Sequence, residues 1–337
     1  MDWKGKKVLI TGISGFLGSN LGRTLLDHGA EIYSIDNFSY IDYEVTKKKV
    51  PLINEVKIIS GDIAMKETWN KVPTNIDYIF HLAGPSSVTL FKRNPERCYY
   101  ETIFGLYNVL EFAKKNNIKK VVYTSTGSLY AGNRMPHREE LYPIGYNLYA
   151  AAKIACEALA NSYSNHVKNL GLRVFAGFGP GEERKKDFAS VICLFAKDAL
   201  EGRRPIIYGD GNQIRDFVYV DDVVVALLRG VDIEETGIIN VGTGKGISFN
   251  EIWKTIKDHL GTNIEPEYIE KEVNYVEKLE ADTFKMRKIL KLNPHSTEEG
   301  IRKFLDYLKQ EISQEMIKGN QLKENLNQNR PGFLSLK

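Results

Sequence analysis

Disulfide frameworks, membrane spans and nucleic-acid sites each need something that this sequence has little of. Only three cysteines occur, Cys98, Cys156 and Cys193; their odd number and wide spacing argue against disulfides or a zinc site and favour a reducing compartment. No run of about 18 apolar residues appears, and the N-terminus lacks the apolar stretch of a signal peptide. Lysine and arginine exceed aspartate and glutamate by only 46 to 43. We therefore expect a cytoplasmic protein that binds no membrane, no nucleic acid and no metal.

Short apolar runs alternate with longer amphipathic stretches in the first half of the 337-residue chain. This alternation predicts a doubly wound, Rossmann-type α/β fold with a parallel sheet. The predicted strands are residues 8–10, 31–35, 56–59, 78–81, 121–124 and 172–175. Beyond residue 181 the pattern predicts helices over 188–202, 221–229, 251–260 and 298–310, and a short strand over 205–208. From about Ser313 the chain is polar, which indicates a frayed helix or disorder.

Three glycines stand three residues apart directly after the first predicted strand: Gly12, Gly15 and Gly18. Glycine suits a sharp turn, a close approach to a pyrophosphate, and close packing of a helix on a sheet. The following helix, predicted over 16–28, would offer free amide groups and its positive dipole end to phosphates. The same spacing can also serve a simple tight turn, so the interpretation depends on the neighbouring strands.

Carboxylates end the second and third predicted strands. Asp36 follows the glycine turn by about 20 residues, where a carboxylate can bond the ribose hydroxyls of a dinucleotide. It would repel a 2′-phosphate, and no arginine follows closely, so the predicted cofactor is NAD rather than NADP. Asp62 ends the third strand and is either a contact to the adenine edge or an ordinary helix N-cap.

Tyr149 and Lys153 lie four residues apart in an alanine-rich stretch, which places them on one face of a predicted helix. Tyrosine, with an ordinary pKa of about 10, is a poor base at neutral pH, and a nearby ammonium and a positive nicotinamide would favour the phenolate. Packing alone would also explain the pair. Hydroxyl groups gather at residues 124–128, at the carboxyl end of a predicted strand, where they either meet a ligand or cap the strand.

Taken in order, these motifs resemble the extended short-chain dehydrogenase/reductase superfamily, and within it the nucleotide-sugar epimerases and dehydratases of the UDP-glucose 4-epimerase type. The resemblance covers about residues 6–301. Its further motifs are His81-Leu82-Ala83-Gly84, Ser125-Thr126, Gly179-Pro180-Gly181, Tyr208-Gly209-Asp210-Gly211, Arg215-Asp216-Phe217-Val218-Tyr219-Val220-Asp221-Asp222 and Asn240-Val241-Gly242-Thr243-Gly244.

The resemblance implies roles for individual residues. Tyr149 would be the catalytic acid or base, Lys153 would favour its ionised form and hold the nicotinamide ribose, and Thr126 would bond the reacting sugar oxygen. The implied NAD-binding residues are Gly12, Gly15, Phe16, Leu17, Gly18, Asp36, Asn37, Asp62, Ile63, Leu82, Ala83, Gly84, Tyr149 and Lys153. The implied substrate-binding residues are Ser87, Thr126, Tyr149 and Arg215. Arg215 would clamp the substrate diphosphate through its planar fork, or else pair with a neighbour such as Asp216.

The resemblance also implies how the chain is organised. An NAD-binding domain would span 1–176 plus roughly 213–243, a nucleotide-sugar lobe 177–212 and 244–312, and a polar tail 313–337. The implied partners are a nucleotide-diphosphate sugar and a second copy of the chain, joined through the helix of Tyr149 and the one near 102–114. Several side chains either line the sugar or base pocket or are ordinary surface and core residues: Ser86, Lys92, Tyr146, Phe178, Arg184 and Tyr208.

The chain departs from the family pattern where the reaction type is decided. Gly127 and Ser128 stand where 4,6-dehydratases carry an Asp-Glu pair, and the related decarboxylases keep a glutamate at the second position. Thr102 and Ala176 replace asparagines, the second of which often touches the substrate diphosphate. The missing acids disfavour elimination and predict NAD-dependent C4 epimerisation through a 4-keto sugar. The alternatives are a 4-keto-sugar reductase or sugar dehydrogenase, a dehydratase or decarboxylase, and a binding protein that has lost catalysis.

Overall fold

A seven-stranded parallel sheet organises the first two thirds of the chain. The computed structural model describes residues 2–39, 43–270 and 276–328, with side chains as far as residue 314. The strands of this sheet are β1 (Lys7–Thr11), β2 (Glu31–Asp36), β3 (Lys57–Ser60), β4 (Tyr78–His81), β5 (Lys120–Thr126), β6 (Asn169–Val174) and β11 (Gly237–Val241). Their order across the sheet is β11-β6-β5-β4-β1-β2-β3, and every pair is parallel.

Helices cover both faces of the sheet. The helices are α1 (Phe16–Asp27), α2 (Tyr43–Lys49), α3 (Lys66–Trp69), α4 (Val88–Arg93), α5 (Pro95–Lys115), α6 (Leu148–Ser162), α7 (Val191–Leu200), α8 (Val220–Asp232), α9 (Phe249–Leu260), α10 (Phe284–Ile289) and α11 (Thr297–Gln328). On one face, the apolar side chains of α1 and α8 pack on the sheet around Leu25 and Leu227. On the other, α5 and α6 pack around Val109 and Ala160. Within the described residues, no helix is long and apolar enough to cross a membrane.

A separate core lies in the C-terminal part of the chain. There α7, α9 and α11 pack together around Phe195, Trp253 and Phe304. Short strands border this core: β7 (Ala176–Phe178), β8 (Ile206–Tyr208), β9 (Ile214–Arg215), β10 (Phe217–Tyr219), β12 (Ile247–Ser248), β13 (Glu267–Ile269) and β14 (Lys278–Leu279). Helix α9 begins with a capping box in which Ser248 and Glu251 satisfy each other's backbone amides. This second core agrees with the predicted smaller C-terminal lobe. The boundaries between the two domains stay a prediction.

The doubly wound fold is confirmed, and all six predicted strands lie in the sheet. The seventh, β11, was not predicted; it begins shortly after α8 ends. The polar tail is helical as far as Gln328, which agrees with the first alternative, a frayed helix; the remaining residues, 329–337, lie outside the described part. Long polar side chains such as glutamine, glutamate and lysine favour helix without an apolar stripe.

Candidate active site

The glycine turn follows β1 and leads directly into α1. Gly12 has φ +79°, and a Cβ there would lie 2.9 Å from Cα of Ala83 on the neighbouring strand's extension. A Cβ on Gly18 would lie 2.0 Å from the carbonyl oxygen of Gly12, so only glycine permits this close approach. Gly15 is the N-cap of α1 and supplies no side-chain acceptor to its first turn. The first amides of α1 are therefore available to an anion.

Asp36 closes one end of this turn. One carboxylate oxygen accepts the amide of Ser14 at 2.8 Å, and the other accepts the amide of Phe38 at 2.9 Å. The buried carboxylate is thus fixed beside the turn, and Asn37 follows it at the cavity surface. On β3's extension, Asp62 accepts the amide of Ala64 at 2.9 Å and so forms a local turn rather than the N-cap of α3. Its contact with adenine stays a prediction.

Thr11 and His81 hold the segment that runs beside the cofactor cradle. The Thr11 hydroxyl oxygen accepts the amides of Leu82 and Ala83, each at 3.1 Å, and lies 2.9 Å from Nδ1 of His81. Because the hydroxyl accepts twice, its proton goes to Nδ1, and the neutral ring then carries its own proton on Nε2. Burial, and then the Lys153 charge, lower the pKa of His81 to about 3, so the ring is neutral.

The predicted catalytic residues come from β5 and α6. Thr126 ends β5, and its hydroxyl oxygen accepts the amide of Ser128 at 3.1 Å, which leaves the hydroxyl proton for a donor role. Helix α6 begins at the Asn147 cap and carries Tyr149, whose ring packs against Phe91 at a centroid distance of 5.5 Å. Lys153 donates from Nζ to the backbone carbonyl of Thr124 at 2.9 Å. The spacing-based prediction of a shared helix for Tyr149 and Lys153 is therefore correct.

One cavity of about 610 Å³ brings these groups together. Its described lining includes the carboxyl ends of the central strands, where open α/β sheets bind ligands. Fifteen predicted site residues line it: Gly12, Gly15, Phe16, Leu17, Gly18, Asp36, Asn37, Asp62, Ile63, Leu82, Ala83, Gly84, Thr126, Tyr149 and Lys153. The dinucleotide cradle and the reactive hydroxyls therefore share one space.

Comparison with known proteins identifies this arrangement. The NAD dependent epimerase/dehydratase family matches residues 8–242, more than half of the chain. The chain belongs to this family. It is 33% identical to a UDP-glucuronate 4-epimerase of Thermodesulfobacterium geofontis, over 92% of this chain and 98% of that protein.

Solved epimerase structures share the fold. The UDP-glucose 4-epimerase of Thermotoga maritima, solved with UDP-glucose, is 30% identical with a TM-score of 0.84, over 91% of this chain and 99% of that one. The UDP-glucuronic acid 4-epimerase of Bacillus cereus, solved with UDP-glucuronic acid and NAD, is 25% identical with a TM-score of 0.82, over 90% and 99%. The predicted family, fold and NAD-dependent enzyme class are confirmed.

The cavity fits the family's cofactor, NAD. Gly12 and Gly18 have no space for a side chain, so only backbone lies beside the first amides of α1. Such a bare turn suits the close approach of a pyrophosphate. The fixed Asp36 carboxylate stands where ribose hydroxyls are bonded in such folds.

Two predicted substrate contacts do not line the cavity. Ser87 accepts the amide of Leu90 at 3.2 Å as the N-cap of α4, so its hydroxyl is used by the backbone. Arg215 donates to the carbonyls of Ile214 at 2.8 Å and of Val276, both outside the described lining. In this structure, therefore, neither side chain is placed at the substrate cavity, and their contacts with substrate stay a prediction.

Asp216 is not the partner of Arg215, contrary to the alternative explanation for that arginine. Its buried carboxylate accepts the amides of Thr243, Gly244 and Ala281 at 2.7–3.1 Å, together with the Thr243 hydroxyl. Asp216 thus joins its own strand end to two later segments of the chain, at Thr243–Gly244 and at Ala281. The pocket candidates from the sequence also divide: Ser86 and Arg184 line the cavity, Phe178 is a core residue, and Lys92, Tyr146 and Tyr208 lie outside the lining.

Packing closes the position where the family's dehydratases carry an acid. A Cβ on Gly127 would lie 2.8 Å from the ring of Phe175, so an aspartate has no space there. Phe175 in turn stacks on Tyr130, with centroids 6.1 Å apart. Ser128 lines the cavity but brings no carboxylate. The absence of an acid at Gly127 is therefore built into the packing of this site, whereas at position 128 it is a matter of residue type.

A basic segment that sequence reasoning largely missed faces the glycine turn. Arg184, the one residue of this segment singled out, donates to the Ser19 hydroxyl at 2.6 Å, and its Nε is buried without a partner among the described residues. Lys185 places its ammonium 4.6 Å from the ring centroid of Phe16, at the start of α1. Lys186 lines the same cavity with a left-handed φ of 51°. Three successive basic residues were the signal, but spacing alone did not show which way they face.

Proposed function

We propose that this chain is a nucleotide-sugar 4-epimerase that works through a 4-keto intermediate. The observation that carries the proposal is the shared cavity of Thr126, Tyr149, Lys153 and the NAD cradle. The sealed position at Gly127 supports it, because elimination would need an acid there. The similar proteins named above act on UDP-glucose or UDP-glucuronate at the same sugar carbon, C4.

Each catalytic residue has a task that its position supports. The Tyr149 hydroxyl, in its ionised form, takes the proton of the C4 hydroxyl and later returns it. Thr126 donates its hydroxyl proton to the C4 oxygen, because its own oxygen already accepts the Ser128 amide. Lys153 places a positive charge beside the base. The glycine turn and Asp36 would hold NAD, which would supply the hydride chemistry at C4, so that a hydride taken from one face of the sugar could be returned to the other.

The substrate class follows from charge and from the balance of the reaction. Arg184, Lys185 and Lys186 line the cavity and supply positive charge for diphosphate groups. Arg215 donates to backbone carbonyls outside the described lining, and a contact between it and the diphosphate is proposed from the family resemblance alone. Because epimerisation has no net redox change, the cofactor can stay bound between turnovers. We therefore propose a nucleotide-diphosphate hexose as substrate and tightly held NAD.

Turnover of a substrate panel tests the proposal. Purified protein is incubated with UDP-glucose, UDP-glucuronate, UDP-N-acetylglucosamine and their C4 epimers, with no added NADH. Interconversion of at least one pair is expected, and Tyr149→Phe should abolish it while leaving NAD binding intact. Turnover that consumes free NADH stoichiometrically would instead show a reductase, and no interconversion across a wide nucleotide-sugar panel would refute the epimerase assignment.

We further propose a cytoplasmic homodimer. Helix α5 presents exposed aromatic rings, Tyr100 and Phe104, whose centroids are 4.9 Å apart, and Tyr107 continues the row. Exposed apolar rows of this kind are typical of interfaces, and α5 packs beside α6. The cytoplasmic location is supported by Cys98, Cys156 and Cys193, which are unpaired and buried.

A further inference from the structure

A buried ion pair lies directly behind the proposed catalytic residues. Glu157 is on α6, one turn beyond Lys153, and its side chain is 10% exposed; Arg173 on β6 is 5% exposed. The Arg173 guanidinium donates from Nη2 at 2.7 Å and from Nε at 2.9 Å to the two carboxylate oxygens of Glu157. This is the fork-to-fork geometry in which both groups are fixed in orientation. Neither residue is among the described residues that line the cavity.

Glu157 ties α6 to the residue immediately before Thr126. The Ser125 hydroxyl donates to Glu157 Oε1 at 2.5 Å. One turn earlier on the same helix, Lys153 donates to the carbonyl of Thr124 at 2.9 Å. The end of β5 is thus attached to α6 at two successive residues. Because α6 also carries Tyr149, these two bonds set where the Thr126 hydroxyl stands relative to the tyrosine.

Arg173 secures the chain on the other side of Thr126. Its Nη1 donates to the hydroxyl of Tyr130, the last residue of the 3₁₀ turn that begins after Thr126, and its guanidinium carbon lies 4.8 Å from that ring's centroid. The Tyr130 hydroxyl donates onward to Asn240 on β11 at 2.9 Å. Arg173 also stands directly opposite Ser125 in the β5–β6 register. A single ion pair therefore anchors the chain both before and after Thr126.

We propose that Glu157 and Arg173 are positioning residues for the reaction, holding Thr126 in register with Tyr149 and Lys153. The proposal rests on the proposed function, because the register matters only if these three groups act together. Stability alone is a poor reason for such a pair, since well-packed apolar residues commonly replace a buried ion pair without loss. Misplacing a catalytic group by about 1 Å is enough to lower a rate about 100-fold.

Kinetics of three variants test the proposal. Ser125→Ala removes the tether at a residue that also lines the cavity, Glu157→Gln removes the charge outside the lining but keeps the shape, and Glu157→Leu/Arg173→Met replaces the pair by apolar groups. The control is Asp222→Asn, which alters a buried carboxylate paired with His295 away from the cavity. We measure kcat, KM and bound NAD for each, well below its melting temperature.

We expect the first two variants to lower kcat by about 10- to 100-fold with KM and NAD content little changed. The apolar double variant should melt close to the wild type yet keep the low kcat, whereas Asp222→Asn should keep the wild-type kcat. The positioning role would be overturned, and the proposed function left standing, if the single variants fold and retain the wild-type kcat or if the double variant has the wild-type kcat. A wild-type protein that turns over no nucleotide sugar would overturn the proposed function and the positioning role with it.

Discussion

Lys153 donates a hydrogen bond from its ammonium to the carbonyl oxygen of Thr124 at 2.9 Å. Lys120, at the other end of the same strand, likewise donates to backbone carbonyls, those of Ile233 and Glu235. The two lysines thus make the same kind of contact, but only Lys153 lies in the cavity with Tyr149. They therefore form a matched pair for separating catalysis from structure.

Lys153→Met should lower kcat by about 100-fold or more, because the proposed general acid–base catalysis loses the positive charge that lies in the cavity with Tyr149. The methionine keeps most of the side-chain packing. Lys120→Met should cost stability but leave kcat within about twofold. Steady-state kinetics and thermal melts of both variants check this. Equal losses of kcat in the two would contradict a catalytic task for Lys153.

Asp36→Asn should weaken NAD binding and should reduce the ratio by which the protein prefers NAD to NADP. The change removes the negative charge that would repel a 2′-phosphate, and it weakens acceptor bonds worth about 1.5–3 kcal/mol. Calorimetric titration of cofactor-free protein with NAD and NADP measures the ratio of affinities. Asp222→Asn is the control, since it changes a buried carboxylate that is paired with His295 outside the described cavity lining. An unchanged affinity ratio for Asp36→Asn would show that this carboxylate does not select the cofactor.

The free energy of unfolding should decrease as the pH is lowered, because of His81. Burial lowers its pKa to about 3 in the folded chain, whereas an ordinary histidine has a pKa of about 6.5. Between these values the unfolded chain binds the extra proton, so the free energy of unfolding decreases as the pH falls from about 6.5 towards 3. The slope approaches about 1.4 kcal/mol per pH unit.

His81→Asn tests this linkage, because the amide oxygen can still accept the Thr11 hydroxyl. Urea unfolding at pH 7.5, 6.5 and 5.5 should show a shallower pH dependence than in the wild type. His166→Asn, at an exposed histidine, should retain the wild-type slope. Parallel slopes for the wild type and His81→Asn would mean that His81 is not the responsible group.

Phe104→Glu should convert the proposed dimer to a monomer. Phe104 is 49% exposed in the aromatic row of α5, and a charge there would be buried without a partner in a symmetric interface. Light scattering after size exclusion gives the mass directly. Tyr268→Glu, at a 52% exposed tyrosine on β13, is the control and should remain dimeric. A wild-type monomer, or a dimeric Phe104→Glu, would place the interface elsewhere or remove it.

Much of the cofactor cradle could be predicted from the sequence because its signals are local. Gly12, Gly15 and Gly18 directly follow an apolar strand, and Asp36 ends the next one. Parallel strands bring their carboxyl ends to one edge, so strand ends far apart in sequence predict a common site. Likewise, a spacing of four on an alanine-rich helix was enough to place Tyr149 and Lys153 on α6.

Contacts that depend on how elements pack could not be predicted in this way. Arg215 belongs to a motif typical of the family, yet its guanidinium donates to the backbone carbonyls of Val276 and Glu277, about 60 residues later. The seventh strand, β11, was not predicted, and it gains its place in the sheet by pairing with β6. The closed position at Gly127 exists only because the ring of Phe175 fills the space beside it.

The sequence by itself determined the doubly wound fold and was enough to predict the NAD cradle and the proposed catalytic pair, since each depends on residue type and short-range spacing. The tertiary structure alone decided what lies behind that pair. Ser125, Glu157 and Arg173 meet because β5, β6 and α6 pack in one register, which no spacing along the chain specifies. The chemistry was readable from neighbouring residues, whereas its alignment depends on side chains that meet only when the sheet and its helices assemble.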